Sequence, residues 1–349
     1  MSGQTTQPAQ QLWFTGPHKV EVREQELSAP EPGQALVRNL YSGISAGTEL
    51  LVYRGQIPER LALDTDLSSL GDEPFHYPLQ YGYACVGRVE QVGSEEDASW
   101  IGKTAFSFQP HASHFISDLS GLIPVPDEVD PESAVFLANM ETAVNLLLDA
   151  QPQLGDRVVV LGQGILGLLV DGILAEFPLA GLYSLDRMDS RRAKGEQAGV
   201  IASFDPDNPE DIKTLKRALQ LDQPRGGADI VLELTGAPDA LNLAVDLCAY
   251  SGRIVVGSWY GTKTADLKLG ERFHRNRIKI VSSQVSTIAP ELSGRWNKER
   301  RFSVAWDRIK KGQPEQLISH RFPLSEAANA YRLLDSVSED TLQIVFEYH

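Results

Sequence analysis

The stretch Arg157-Val158-Val159-Val160-Leu161-Gly162-Gln163-Gly164-Ile165-Leu166-Gly167 decides the fold. Its first five residues form an apolar run short enough to be one buried strand. The run ends in G-x-G-x-x-G, and Leu168-Leu169-Val170-Asp171-Gly172-Ile173-Leu174-Ala175 then reads as a helix. A second short apolar run, Leu182 to Leu185, closes on Asp186, nineteen residues past Gly167. Strand, glycine turn, helix, strand and acid at this spacing form a dinucleotide-binding pattern. Gly162 permits the tight turn. Gly164 has no side chain to hold off a pyrophosphate. Gly167 lets the helix sit close to the strand. The start of the helix, at Ile165 and Leu166, offers free N–H groups and a partial positive charge.

Asp186 is placed to accept hydrogen bonds from both ribose hydroxyls, which favours NAD, and its charge would repel the extra phosphate of NADP. Arg187, Arg191 and Arg192 follow at once. They offer charge for such a phosphate or merely cover the start of a solvated helix. NAD is the expected cofactor, ahead of NADP.

The 349 residues predict two domains, and 42% hydrophobic content is that of an ordinary globular protein. A formal charge of −15 and a pI near 4.9 argue against nucleic acid and against anionic membrane surfaces as partners. Cys85 and Cys248 lie far apart. They make neither a disulfide framework nor a cysteine-based zinc site, and they fit a reducing cytosol. Met1 to Gln11 is polar and lacks the pattern of a signal peptide. The apolar run from Gly164 to Ala175 is too short to span a bilayer and contains Asp171. These features point to a cytoplasmic protein.

Residues 1–10 read as disordered. Short strands are expected at 20–22, 34–41, 84–92, 103–108 and 114–116, as in a small barrel-like β domain. Residues 122–126 read as a proline-stiffened passage, and 131–150 as a helix. From there strands (157–161, 182–185, 200–204, 229–234, 253–257, 278–282) alternate with helices (165–177, 189–198, 209–221, 238–248). This is a six-stranded, doubly wound parallel sheet. Thr235-Gly236 ends the fourth strand and Gly257-Ser258 the fifth, at the edge where such sheets bind ligands. A helix at 295–311, a strand at 316–320, a helix at 325–335 and a strand at 342–347 complete the first domain. The expected fold is α/β: a Rossmann domain over 151–285 and a β-rich catalytic domain over 11–150 plus 286–349.

This organisation resembles the medium-chain dehydrogenase/reductase superfamily, which implies a GroES-like β-rich domain. Tyr41-Ser42-Gly43-Ile44-Ser45-Ala46-Gly47-Thr48-Glu49 is similar to its S-G-I-C-G-T-D segment. Tyr81-Gly82-Tyr83-Ala84-Cys85-Val86-Gly87 is similar to G-H-E-x-x-G, and Thr142-Ala143 to the T-A before the nucleotide domain. In zinc alcohol dehydrogenases these segments supply the catalytic metal ligands. Here the three ligand positions fall on Ser45 or Ala46, on Tyr83 and on Ala138, and the glutamate beside the second becomes Ala84. The four-cysteine structural zinc lobe has no counterpart. His111-x-x-His114 has metal-like spacing but no third ligand in sight, and reads as two partly exposed loop histidines. No metal is expected.

The likeness extends to bacteriochlorophyllide hydroxyethyl dehydrogenases, through Ser42 to Gly55, Leu317 to Arg321 and Ala327 to Arg332. It implies oxidation of a secondary alcohol on a bulky substrate. Two longer stretches, Pro58 to His76 and Ser282 to Arg301, are candidates to line a cleft. Without zinc, a side chain or water must handle the alcohol proton. Tyr83 stands at a lost ligand position and its phenol is the first candidate. Glu49 could orient a water or a histidine, and His111 and His114 are candidate shuttles. Each has a plainer reading as packing or local backbone support. Arg272, His274, Arg275, Arg277, Lys279, Arg295, Lys298, Arg300 and Arg301 make a basic stretch around Trp296. It reads as solvated surface or as an anion site, with Ser45, Arg295 and Trp296 as substrate candidates.

The leading expectation is a zinc-independent, NAD(H)-dependent enzyme interconverting a secondary alcohol and a ketone on a bulky, anionic small molecule. Two alternatives remain open: an NADP-dependent reductase of conjugated C=C bonds, and a non-enzymatic nucleotide-binding protein. A homodimer is expected through the sixth strand of the nucleotide sheet, near Lys279 to Ser283.

Overall fold

The computed structural model describes residues 7–58, 75–336 and 340–349. The chain divides into two compact units, residues 1–138 with 309–349, and residues 139–308.

The first unit opens with β1 (Gln7–Gly16), β2 (Lys19–Leu27), β3 (Gln34–Gly43), α1 (Ala46–Tyr53), β4 (Cys85–Val92), β5 (Thr104–Ser107), β6 (His114–Asp118), β7 (Leu122–Pro124) and α2 (Pro131–Ala134). Helix α3 (Leu137–Ala150) carries the chain into the second unit. There follow β8 (Arg157–Leu161), α4 (Ile165–Leu174), β9 (Gly181–Leu185), α5 (Asp189–Ala198), β10 (Ala202–Phe204), α6 (Pro209–Ala218), β11 (Ala228–Glu233), α7 (Ala240–Leu247), β12 (Cys248–Val256) and β13 (Lys279–Ser282). Helix α8 (Lys298–Gly312) returns to the first unit, which ends with β14 (Ile318–Pro323), α9 (Ala327–Asp335) and β15 (Gln343–Glu347).

In the first unit β1 and β2 form an antiparallel hairpin. The other strands make one mixed seven-stranded sheet, in which β14–β15 is the parallel pair. Strand β3 is long enough to serve three neighbours. One edge pairs with β4, and the other pairs with β6 at residues 34–38 and with β15 at residues 41–43. The C-terminal strand is thereby laid against the segment leading into α1. Residues 7–10, expected to be disordered, belong to β1, because their backbone groups pair with Glu24 to Leu27. The proline-bounded passage at 122–124 is a strand, paired with β5. Leu61 to Leu67 lies outside the described residues.

The second unit is the expected parallel sheet, in the order β10-β9-β8-β11-β12-β13. Three valines of β8 are completely buried, which accounts for the uninterrupted apolar run. The order reverses between β8 and β11, and that switch point opens a crevice at the carboxyl ends of the strands. Helix α6 starts at Pro209, behind an Asn208 cap that accepts from the Glu210 N–H at 3.0 Å. Helix α5 stops at Gly199, whose φ of 110° terminates it in the left-handed region.

The unit boundaries fall at 138/139 and 308/309 rather than near 150 and 286. A buried ion pair explains the difference. Arg301 of α8 has no exposed surface and donates to Glu141 of α3 at 2.6 Å. It also donates to Asn145 Oδ1 at 2.6 Å and to the Val285 and Thr287 carbonyls at 2.5 and 3.2 Å. Asn145, Ser283 and Asp149 extend the network. Most of α3 and α8 therefore packs as part of the nucleotide unit.

Candidate active site

The glycine turn occupies the switch point. Gly162 has φ 95°, and a Cβ there would meet the Leu234 carbonyl oxygen at 2.9 Å. A Cβ on Gly167 would lie 2.0 Å from the Gly162 carbonyl oxygen. Both positions require glycine for internal packing. Gly164 differs, because its φ is ordinary (−75°) and a Cβ there meets nothing within 4 Å. The space in front of the N-terminus of α4 is open, beside half-buried Ile165 and Leu166. This is the cradle that a pyrophosphate fills.

Asp186 follows β9. Its two carboxylate oxygens accept from the Gln163 N–H at 2.8 Å and the Met188 N–H at 2.9 Å. The acid thus ties the glycine turn to the start of α5, and each oxygen keeps a second lone pair for a ribose hydroxyl. Two of the neighbouring arginines are drawn elsewhere. Arg187 pairs with Asp207 at 2.9 Å, and Arg192 donates to the Asp186 carbonyl at 2.7 Å and to Asp189. Across the switch point, the Gly236 N–H donates to Ser258 Oγ at 2.9 Å, which joins the ends of β11 and β12. Thr235 donates to buried Glu233, and Gly257 is half-buried. The residues of this edge fit a nicotinamide dinucleotide.

In the first unit, Ser45 caps α1, and the Glu49 carboxylate reaches back to the Ser45 N–H at 2.8 Å. Half-buried Tyr83 donates its hydroxyl proton to Ser45 Oγ and lies 3.2 Å from Thr48 Oγ1. A phenol has one proton to give, so a serine or threonine hydroxyl must donate whichever bond the phenol does not. The three hydroxyls form an exchangeable set. Nothing in the sequence pairs Thr48 with Tyr83, and only the fold brings them together.

Behind this set lies a buried chain. Glu49 Oε2 is 3.0 Å from His111 Nε2 and accepts from the Tyr331 hydroxyl of α9. His111 Nδ1 is 2.7 Å from Ser42 Oγ, itself 2.7 Å from the Tyr348 hydroxyl. Burial and the neighbouring carboxylate hold the Tyr331 hydroxyl well above the usual phenol range, so it stays a donor. His111 is therefore not a partly exposed loop residue. It is completely buried, with both ring nitrogens engaged, so it supports Glu49 rather than meeting a ligand. His114 turns elsewhere, to Ser113 and, at 3.9 Å, to Glu90. Tyr331, Ser42 and Tyr348 carried no local sequence signal of this role.

The donor set at the zinc positions does not suit that metal. Ser45 or Ala46, Tyr83 and buried Ala138 offer no thiolate, imidazole or carboxylate. Among the described residues no group of three His, Cys, Asp or Glu side chains is arranged to hold a metal ion.

Two members of the basic stretch, Arg301 and Arg272, are spent internally, while the other seven are exposed. Arg301 is sequestered with Glu141, which corrects its reading as a surface or anion-binding arginine. Arg272 donates to the Cys248 and Gly226 carbonyls. Arg300 lies 4.2 Å from the Trp296 ring centre and donates to the Arg295 carbonyl at 2.6 Å. Arg295 remains exposed beside half-buried Trp296. Among the described residues no helix is long and apolar enough to cross a membrane.

Residues 180–302 match the family described as "Zinc-binding dehydrogenase". The chain is 23% identical to D-guloside 3-dehydrogenase of Escherichia coli (strain K12), over 95% of this chain and 98% of that protein. It is 24% identical to (R,R)-butanediol dehydrogenase of Bacillus subtilis (strain 168), over 77% of this chain and 81% of that one. The solved NADH complex of the RspB alcohol dehydrogenase of Escherichia coli CFT073 superposes with a TM-score of 0.77 at 18% identity, covering 98% and 99% of the two chains. That likeness shows a shared fold.

Proposed function

We propose that this chain, a nicotinamide-dependent enzyme of the medium-chain, zinc-type alcohol dehydrogenase-like superfamily, interconverts a secondary alcohol and a ketone with NAD(H) and without zinc. Its relatives are alcohol and polyol dehydrogenases, which supports the alcohol–ketone chemistry. The observation that carries the finer reading is the Tyr83–Ser45–Thr48 hydroxyl set, in which Tyr83 and Ser45 stand at positions where the resemblance puts metal ligands. The bound dinucleotide supplies the hydride acceptor or donor. Gly164 and the first turn of α4 hold its phosphates, and Asp186 its adenosine ribose, which favours NAD because Arg187 and Arg192 are paired with other groups. The Tyr83 hydroxyl takes the proton of the substrate alcohol as it passes its own to Ser45 or Thr48, which hand a proton on to solvent water, and the same steps in reverse protonate the carbonyl oxygen. Glu49, braced by His111 and Tyr331, fixes Ser45 for this role.

The S-G-I-S segment and its likeness to bacteriochlorophyllide dehydrogenases support a bulky substrate, and the exposed Arg295 beside Trp296 is compatible with an anionic group on it. Strand β13 ends its sheet and is half-exposed, which supports a homodimer through that edge, checked by light scattering. Purified protein is expected to bind NADH more tightly than NADPH in fluorescence titrations, and to contain far less than one zinc per chain by elemental analysis. Tighter binding of NADPH would overturn the cofactor choice. One chelatable zinc per chain, needed for activity, would overturn the metal-free chemistry.

A further inference from the structure

Glu233 ends β11 and is completely buried at the switch-point edge. A carboxylate is costly to bury unless its oxygens are satisfied. Here the donors come from two different crossover loops. Oε1 accepts from the Thr235 N–H at 2.8 Å and from the Thr235 hydroxyl. Oε2 accepts from the Tyr260 hydroxyl at 2.5 Å. Tyr260 lies four residues past the end of β12, with its ring packed against the core of the nucleotide unit. Burial and the Glu233 carboxylate both raise its phenol pKa, so the hydroxyl remains a donor. Further bonds join the same two loops. Ser258 Oγ accepts from the Gly236 N–H, and Lys263 Nζ donates to the Gly236 carbonyl at 2.8 Å.

These loops carry Thr235, Gly236, Gly257 and Ser258. In a doubly wound sheet the pyrophosphate sits on the turn after the first strand, here β8, and the acid after the next, β9, takes the adenosine ribose. The other half of the dinucleotide must then extend over the ends of β11 and β12. We propose that Tyr260, through Glu233, is a positioning residue for the nicotinamide half of the cofactor, setting the spacing of the loops after β11 and β12. The inference rests on the nicotinamide reading above and adds to it a residue that none of the glycine or acid signals reveals. It also explains why this edge keeps a buried carboxylate where an apolar residue would suffice for the sheet.

The test separates the two halves of the cofactor. NADH and ADP-ribose are titrated against the wild type, Tyr260→Phe and Glu233→Gln. For Tyr260→Phe, loss of a hydrogen bond to a buried charge is expected to weaken NADH about tenfold and to leave ADP-ribose unchanged. Glu233→Gln keeps an oxygen acceptor for Thr235 and an amide able to bond the Tyr260 oxygen. It is expected to hold NADH affinity within about threefold of wild type. The inference is overturned if Tyr260→Phe leaves both affinities unchanged or weakens both alike. It is also overturned if Glu233→Gln loses as much NADH affinity as Tyr260→Phe, since charge rather than geometry would then matter. Should Tyr260→Phe fail to fold, Glu233→Leu takes its place: it removes the acceptor shared by both loops, is expected to weaken NADH about tenfold with ADP-ribose unchanged, and overturns the inference if both affinities stay at the wild-type value. Failure of the wild type to bind NADH would instead count against the cofactor reading itself.

Discussion

Missing side chains make the ligand-facing surface of the nucleotide unit, whereas side chains that are present make the corresponding surface of the first unit. At Gly164 the chain offers bare backbone to open space, on a turn whose close packing requires Gly162 and Gly167. The charged groups buried in that unit, Arg301 with Glu141 and Glu233 with Tyr260, serve as frame. In the first unit a buried acid, Glu49, stands directly behind the hydroxyls of Ser45, Tyr83 and Thr48. The difference is the one that the proposed chemistry requires. A phosphate is held by N–H groups, which every residue has, so the protein need only clear space for it. A proton in transit needs a specific atom, so the protein must place a side chain.

Three substitutions bear on this contrast. Tyr83→Phe removes the proposed proton carrier and is expected to lower kcat by about 10²–10⁴-fold with the Kd for NADH unchanged. Wild-type turnover by this variant would make the hydroxyl set as structural as the frame of the other unit, and the contrast would collapse. Arg301→Ala should do the opposite. It strands Glu141, whose pKa burial already raises against the pull of Arg301. Denaturant unfolding is expected to show a loss of about 3–5 kcal/mol, with turnover per folded molecule retained. A raised KM without loss of stability would restore the anion-site reading of Arg301.

The smallest effect concerns Asp171, buried in the middle of α4. Neither carboxyl oxygen has a hydrogen-bond partner at bonding distance. Burial pushes its pKa well above the ordinary carboxylate value, with the nearby Gln163 side chain opposing. The folded state therefore holds this proton more tightly than the unfolded chain. The associated stability is present below the unfolded pKa of ~3.9 and is lost as pH rises toward the folded pKa. Asp171→Asn cannot titrate. It is expected to flatten the fall in Tm as pH rises above about 4, with a gain of about 1 kcal/mol at neutral pH. An unchanged pH profile would show that Asp171 does not titrate differently on folding.

The nucleotide unit was largely legible in the chain because its determinants are local. A buried parallel strand must be apolar on both faces, as Val158 to Val160 are, and a phosphate turn needs glycine at set positions of a six-residue span, as at Gly162, Gly164 and Gly167. The six strands and Asp186 follow from that local pattern, whereas the order of the strands is read from the structure. The first unit was legible in outline, as short strands with an S-G-I segment, but its chemistry was not. Tyr83 meets Ser45 across 38 residues, and Tyr331 meets Glu49 across 282. No periodicity or spacing encodes such a meeting. The burial of His111 and Arg301 was equally hidden, since a histidine in a loop or an arginine on a helix reads as solvated until its partner is known. By itself the sequence determined where the backbone is bare and where the strands run, because those are properties of neighbouring residues. Which polar side chains meet, and so which are frame and which stand at the hydroxyl set, was decided only by the tertiary structure, because a hydrogen bond depends on distance in space rather than along the chain.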